Sequence, residues 1–252
     1  MIDVVLKGMQ FGLGLASSST PVLGVGYRTN EAIVVGEGQP PYPNVIDQML
    51  SQQFIGSRTY SLYLNDLDAS TGMILFGGVD LDKFSGTLAT LPINPDSNGA
   101  TSVFFVTLTG MNLNTPGNGG ITPIDTTSTF PLSVVLDSGT TFMNLPSAIV
   151  RPIGEGLGGT FSDHWQQYIL PNCNAQSADA SFDFIFSGVQ ISVPFNEIIV
   201  NAFNSEGHLI TDDNGSPICV LGMTVDDSLP FGILGDTFLR SAYVVYDLVC
   251  FP

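Results

Sequence analysis

An aspartate followed by hydroxyl-bearing residues is the clearest candidate for chemistry in this chain. Asp137 comes directly after the apolar run 134–136 (Val-Val-Leu) and is followed by Ser-Gly-Thr-Thr at 138–141. Because such apolar residues favour a buried strand, we expect Asp137 where a strand leaves the core. An ionised carboxylate there needs hydrogen-bond donors, which the hydroxyl groups can supply. An Asx-type turn has a similar composition, so the rest of the chain must decide between the two.

The composition indicates a fold made mainly of β-strands around this aspartate. Hydrophobic residues make up 44% of the chain, enough for a sizeable core, while 28 glycines and 16 prolines indicate frequent turns. Short segments rich in β-branched and aromatic residues lie between those turns and favour strands. With 252 residues, the chain has room for one large domain or two modest ones.

Periodicity along the chain predicts the individual elements. Strands are predicted at 2–6, 10–16, 60–64, 73–76, 88–93, 103–113, 121–124, 132–136, 181–186, 189–193 and 243–246. Helices or helical turns are predicted at 43–52, 146–157 and 236–242. Three pairs of strands are expected to be neighbours, namely 60–64 with 73–76, 121–124 with 132–136, and 181–186 with 189–193.

Two glycines alternate with apolar residues in the segment 22–27. Gly24 and Gly26 predict a strand that another backbone approaches closely. The segment lacks the strand-to-helix context of a dinucleotide-binding motif, which excludes that class of site. A similar pattern, Phe-Gly-Ile-Leu-Gly, returns at 231–235. The repetition indicates two lobes built on one plan.

The charge of the chain is strongly acidic. Six Lys and Arg residues stand against 23 Asp and Glu residues, giving a net charge of −17. This disfavours nucleic acid and anionic membranes as partners. It suits acidic surroundings, where protonation removes part of the charge, but it equally suits a merely soluble surface. Neither a membrane span nor a signal peptide is predicted in this chain.

The cysteine and histidine residues do not predict a metal site. Cys173, Cys219 and Cys250 are widely spaced, unlike the ligands of a zinc site, and they allow at most one internal disulfide. His164 and His208 lie far apart and have no ligand-like neighbours.

Taken together, the motifs resemble the pepsin-like aspartic endopeptidases, nearest to the secreted fungal candidapepsin and yapsin type. Segment 134–141 resembles the second catalytic loop, 233–240 the segment closing the C-terminal lobe, 22–27 its N-terminal counterpart, and 74–80 the strand crossing between lobes. Cys173 and Cys219 match the disulfide of the C-terminal lobe. Their order fits over nearly the whole chain, which implies a mainly β, bilobal acid-protease fold.

The resemblance implies a catalytic role for Asp137. It would be one of two carboxylates that share a proton and hold the attacking water, because adjacent like charges cannot both ionise cheaply. One carboxylate takes the proton of the water while its protonated partner polarises the scissile carbonyl. No metal or organic cofactor is implied.

Residues around Asp137 receive supporting roles from the same resemblance. Ser138 would join the hydrogen bonds between the lobes beneath the carboxylate pair. Thr140 would donate to the outer oxygen of Asp137, and Gly235 would pack under the loop. Gly139 and Thr141 would lie against the backbone of a peptide or protein substrate.

The chain also departs from the family pattern. Asp137-Ser138-Gly139 is its one Asp-[Ser/Thr]-Gly triplet, whereas complete members have two such triplets and a flap hairpin with a tyrosine. We therefore expect residues 1–86 to be an N-terminally truncated remnant of the N-terminal lobe with inter-lobe strands, and residues 87–252 to form the C-terminal lobe. An incomplete gene model, a truncated paralogue or a fragment would each explain this.

Three functions follow as expectations. The first is an aspartic endopeptidase by resemblance, monomeric in its complete form and secreted or at the cell surface, with negligible activity in this chain alone. The second is a non-catalytic relative that binds peptides or proteases. The third is a homodimer that pairs Asp137 with its own copy, which the N-terminal remnant would obstruct.

Overall fold

The computed structural model describes residues 5–12, 22–96, 98–116, 120–124 and 128–249. The strands are β1 Thr59–Tyr63, β2 Met73–Phe76, β3 Phe105–Thr115, β4 Gly120–Pro123, β5 Leu132–Leu136, β6 Met143–Leu145, β7 Thr160–Ser162, β8 Gln167–Ile169, β9 Ser181–Phe186, β10 Val189–Pro194, β11 Ile199–Asn201, β12 Cys219–Val225, β13 Gly232–Leu234 and β14 Val244–Asp247. The α-helices are α1 Ala32–Glu37, α2 Val45–Ser51, α3 Ser147–Gly156, α4 Phe195–Ile198 and α5 Asp236–Leu239. The predicted mainly β fold class is confirmed.

The larger sheet places Asp137 at the end of β5. Its main path runs β10-β9-β3-β5-β13-β6-β12-β8-β7, with β4 paired to β3 and β11 paired to β12. β13 lies between β5 and β6 and runs parallel to β5, so that Leu234 is opposite Leu136. Two segments about a hundred residues apart in sequence therefore lie side by side directly before Asp137.

The smaller sheet joins the early and late parts of the chain. β14 pairs antiparallel with β1, which forms the predicted hairpin with β2. Tyr246 is opposite Tyr60, and the two rings stack with their centroids 4.6 Å apart. This sheet crosses the predicted domain boundary between residues 86 and 87, and the boundary itself stays a prediction.

The buried side chains form two main clusters around Leu136. The larger cluster lies against the larger sheet and includes Val134, Met143, Leu145, Ile149, Phe184 and Phe238. The smaller one is mostly aromatic and includes Tyr27, Tyr60, Phe104 and Tyr246. Leu136 packs against both clusters. The residue directly before Asp137 is therefore fixed from two sides.

The three predicted helices are present. Asn44 caps α2 by accepting hydrogen bonds from the backbone N–H groups of Ile46 and Asp47, and the Asp47 carboxylate accepts one in return from the Asn44 N–H. This capping box satisfies donors that the first helical turn would leave open. α3 and α5 match the predicted helices at 146–157 and 236–242, although α5 is only four residues long.

Three strand predictions are wrong. Segments 88–93 and 22–27 form no strand, and a Cβ at Gly24 or Gly26 would meet nothing within 4 Å. β4 pairs with β3 instead of β5, since β3 continues past the last residue that β5 covers and offers its free edge there. The predictions at 2–6 and 10–16 lie partly outside the described residues, and the part at 5–12 contains no strand. Cys250 lies outside them as well.

Candidate active site

Hydrogen bonds of the Asp137 N–H and carbonyl fix the backbone at the point where β5 ends. The Asp137 N–H donates to the carbonyl of Leu234 over 3.1 Å, which continues the β5–β13 pairing by one residue. The carbonyl of Asp137 accepts a hydrogen bond of 3.3 Å from the Thr140 N–H, which closes a tight turn. The chain therefore turns back immediately after the aspartate.

Both carboxylate oxygens of Asp137 accept hydrogen bonds within this turn. The Gly139 N–H donates to Oδ1 over 2.9 Å, and the Thr140 hydroxyl donates to Oδ2 over 2.7 Å. Two donors of this kind hold the carboxylate in one orientation. They come from the residue types that follow the aspartate in the sequence.

Gly235 lies directly beneath the loop. A Cβ at this position would lie 2.2 Å from the carbonyl oxygen of Thr140 and 2.7 Å from that of Phe142, both backbone atoms. The next residues bind the same loop, with the Asp236 N–H donating to the Thr140 carbonyl over 2.9 Å and the Thr237 N–H donating to the Thr141 carbonyl over 3.2 Å. The start of α5 therefore supports the turn that carries Asp137.

The upper surface of the loop is open to solvent. Ser138, Gly139 and Thr141 are exposed, while Asp137 and Thr140 are partly buried. Within the described ranges, the side chains of Ser138 and Thr141 form no hydrogen bond. The structure thus groups all six candidate residues of the catalytic loop and its support, with three of them accessible to a ligand.

Asp236 is a neighbouring acid that the sequence reasoning missed. Burial raises its pKa to about 6, the negative charge of Asp137 contributes to the rise, and Arg240 opposes it. Arg240 is itself bound to the buried Glu197 by an ion pair. The available signal was the position of Asp236, one residue after the glycine expected to pack under the catalytic loop.

Two tyrosines form the floor behind Asp137. The Tyr246 hydroxyl donates to the carbonyl of Leu136 over 3.4 Å, and Tyr60 stacks on its ring. Burial raises the pKa of both phenols, and the charge of Asp137 raises it further. Because both therefore stay neutral, they cannot place a second negative charge next to the aspartate.

Cys173 and Cys219 form a disulfide with a Cα–Cα distance of 5.3 Å. The bond connects the turn after β8 to the first residue of β12. A search of the described residues finds no cluster of His, Cys, Asp and Glu suited to a metal ion. Every helix in those ranges is too short or too polar to cross a membrane.

Comparison with known proteins identifies the family to which this site belongs. The family model for eukaryotic aspartyl protease matches residues 5–250. The chain belongs to this family. The pepsin-like resemblance of the sequence is thereby confirmed.

Three curated relatives of this chain are fungal proteins. It is 40% identical over 245 residues to the probable aspartic-type endopeptidase opsB of Aspergillus oryzae, covering 96% of this chain and 48% of the relative. It is 38% identical over 247 residues to OPSB of Arthroderma benhamiae, covering 97% and 49%. Barrierpepsin of Saccharomyces cerevisiae is 33% identical over 251 residues, covering 96% and 40%. The chain thus spans about half the length of the curated relatives it matches, or less.

Proposed function

We propose that this chain supplies one of the two catalytic carboxylates of an aspartic endopeptidase. The observation that carries the proposal is the arrangement at Asp137. Its two oxygens are held by Gly139 and Thr140, on a turn supported from below by Gly235. The match of residues 5–250 to the aspartyl protease family supports the same reaction.

In this mechanism Asp137 and a second carboxylate hold one water molecule between them. One carboxylate accepts the proton of the water as it attacks the peptide carbonyl, and the protonated one polarises that carbonyl. The hydroxyl of Thr140 keeps the outer oxygen of Asp137 oriented. Gly139 and Thr141 are exposed beside the aspartate, and we propose that they contact the substrate backbone. Ser138 is proposed to form a hydrogen bond to the other lobe.

The second carboxylate must come from another polypeptide segment, because the sequence contains one Asp-[Ser/Thr]-Gly triplet. Apolar side chains that such a segment would cover support this idea. Phe11 is 81% exposed and Leu23 is 67% exposed, while their neighbours Met9 and Val25 pack against the smaller, mostly aromatic cluster that Leu136 also contacts. We propose that residues 1–86 belong to the lobe which that segment completes, and that residues 87–252 form the other lobe.

The test joins this chain to the part of Aspergillus oryzae opsB that it does not match. We expect the chimera to cleave a fluorogenic peptide at acidic pH, a pepstatin-type inhibitor to block the cleavage, and Asp137→Asn to abolish it. The unmodified chain should show negligible cleavage, because a lone carboxylate cannot both accept a proton and polarise the carbonyl. Cleavage that persists in the Asp137→Asn chimera would rule out the assignment of Asp137.

A non-catalytic binding role is the second candidate. The accessible surface of Ser138, Gly139 and Thr141 beside a single carboxylate favours it, because the surface can contact a peptide without the second acid that cleavage needs. Peptide binding without turnover in the unmodified chain would support this role. Cleavage whose specific rate rises with protein concentration would instead support a homodimer that pairs two copies of Asp137.

The disulfide between Cys173 and Cys219 supports a location outside the cytosol. Disulfides persist in oxidising compartments, and the fungal relatives make a secreted or cell-surface enzyme the natural proposal. The net charge of −17 makes nucleic acid an unfavourable partner. For the complete form we propose a monomer that acts on peptide or protein substrates.

A further inference from the structure

A buried ion pair connects α4 to the end of α5. Glu197 lies in α4 and Arg240 directly follows α5, and their side chains are only 5% and 11% exposed. Arg240 donates from Nε to Oε2 of Glu197, and from Nη2 to the Glu197 carbonyl over 3.0 Å. In every other ion pair of the described residues, at least one of the two side chains is exposed. This pair is therefore the one whose charges are removed from water together.

The two helices that carry this pair are held at a fixed separation across β12. A Cβ at Gly222 would lie 2.7 Å from the carbonyl oxygen of Ile198 in α4 and 2.8 Å from the methyl group of Thr237 in α5. The Thr237 hydroxyl donates to the Gly222 carbonyl over 3.0 Å. Glu197 is held further by the Leu67 N–H, which donates to its Oε1 over 3.1 Å. The Glu197 carboxylate thus has one hydrogen-bonded orientation.

Arg240 also lies one helical turn after Asp236. The Arg240 N–H donates to the Asp236 carbonyl over 3.0 Å, which is the hydrogen bond of an α-helical turn. Side chains four residues apart in a helix are neighbours, with Cβ atoms about 5–6 Å apart. Within the described ranges the two side chains nevertheless form no ion pair, because the guanidinium is bound to Glu197. Two carboxylates therefore compete for one cation, and Glu197 binds it.

The carboxylate of Asp236 is left without a partner. It is partly buried and accepts no hydrogen bond from the described residues. Asp137 lies close by, since the Asp236 N–H donates to the Thr140 carbonyl in the catalytic loop. Burial and a neighbouring like charge both favour an uncharged carboxyl group, which agrees with the raised pKa of Asp236. Tyr246 in β14 also interacts with Asp236, but burial raises the pKa of this phenol and keeps it neutral.

We propose that Glu197 is a positioning residue for the catalytic loop, because it holds Arg240 away from Asp236 and so keeps Asp236 uncharged next to Asp137 in acidic surroundings. An ionised Asp236 would add a second negative charge beside Asp137. Such a charge disfavours the ionised form that accepts the proton of the attacking water. The inference rests on the proposed function of Asp137, but its first test does not require cleavage.

The first test follows the titration of Asp236 in the full chain by carbon-13 NMR of its carboxyl group, assigned with Asp236→Asn. In Glu197→Gln the side chain still accepts hydrogen bonds, but the negative charge is lost and Arg240 is free to pair with Asp236. The pKa of Asp236 should fall from about 6 to about 5 or below. Glu206→Gln, the same change at a side chain that is 75% exposed, should leave this pKa unchanged. An unchanged pKa in Glu197→Gln would overturn the proposal.

A second variant separates the freed cation from a loosened structure, which would also lower the pKa by admitting water to Asp236. Combining Glu197→Gln with Arg240→Gln replaces the buried ion pair by two neutral amides and removes the cation. The pKa of Asp236 should then be about 6 or higher, because Arg240 is the group that lowers it. Equal pKa values in the single and the double variant would overturn the proposal. So would a value in the double variant below that of the unmodified chain, even if the single variant fails to fold.

The final test asks whether the pair acts on the reaction, in the chimera with opsB. Arg240 lies one helical turn further from the catalytic loop than Asp236, so in Glu197→Gln the two catalytic carboxylates meet more negative charge and keep their shared proton to higher pH. The alkaline limb of the cleavage profile should move up by about half a pH unit, and Glu206→Gln should not move it. Coinciding profiles would overturn the positioning role. A chimera without cleavage would count against the proposed function instead, and the titration of Asp236 would then decide the inference.

Discussion

Two regions of this molecule differ in how completely they bury their apolar residues. Between residues 128 and 249, Met143, Leu145 and Ile149 are fully buried in one continuous cluster. In the described residues before 36, Phe11 and Val22 remain more than 80% exposed, at 81% and 86%. The comparison indicates that the region carrying Asp137 buries its apolar residues against the described parts of this chain, including β3 and β1. The early region instead leaves large apolar side chains exposed, which motivates the proposal that another segment covers it.

The largest expected contrast is between two glycines. Gly235→Ala places a Cβ 2.2 Å from a backbone oxygen of the catalytic loop, whereas Gly24→Ala meets nothing within 4 Å. We expect the first change to lower the free energy of unfolding by about 4 kcal/mol or more, and the second to change it by less than ~0.5 kcal/mol. Urea denaturation of both variants measures this. Similar values for the two glycines would refute the contrast.

The disulfide should contribute the next largest effect. Replacing both Cys173 and Cys219 by serine opens a loop with a sequence separation of 46. The chain-entropy estimate for such a loop is about 4 kcal/mol. In thermal unfolding, the double variant should show a markedly lower midpoint temperature for the transition of the region after residue 128. An unchanged transition would mean that the bond adds nothing to this region.

A pair of leucines extends the comparison to side-chain packing. Leu145 is fully buried and Leu23 is 67% exposed. Leu145→Ala should cost about 3 kcal/mol through lost burial and a cavity, whereas Leu23→Ala should cost less than ~0.5 kcal/mol in the chain alone. If a covering segment binds the early region, Leu23→Ala should weaken that association. The denaturant midpoint measures the first effect and a binding titration the second.

Asp236 should give the smallest effect, which depends on pH. Its pKa rises from 3.8 to about 6 on folding, mainly through burial, so the folded state favours the protonated form. The stability that this preference provides is complete below pH 3.8 and is lost as the pH rises through about 6. Discounted for its partial exposure, the change is about 1 kcal/mol. Asp236→Asn should therefore flatten the pH dependence of unfolding between pH 4 and pH 6. An unaltered pH profile of stability in this variant would contradict the raised pKa of Asp236.

The local features of the catalytic loop could be predicted from residue order. Apolar residues before Asp137 place it at the end of a strand, and a hydroxyl three residues later reaches the carboxylate in a tight turn. These relations depend on a few neighbouring residues, for which chain geometry leaves few choices. The catalytic and substrate-binding roles themselves stay predictions.

Features that depend on distant partners could not be predicted. Segment 88–93 has the composition of a strand, but composition does not supply a neighbour to pair with. β4 takes its partner from the free length of β3, which the sequence of β4 does not encode. Asp236 was missed because its raised pKa results from burial by the fold and from the charge of Asp137.

The pairing of β1 with β14 has a consequence for how the chain is made. Ser61 and Tyr243, whose hydroxyls share a hydrogen bond, are 182 positions apart in sequence. During synthesis the free edge of β1 stays uncovered until a segment 182 positions further along the chain has been made. Contacts of such high sequence separation form slowly and leave unfinished chains open to wrong associations. We therefore expect the yield of native protein to depend on chaperones that shield this hairpin until β14 has been synthesised.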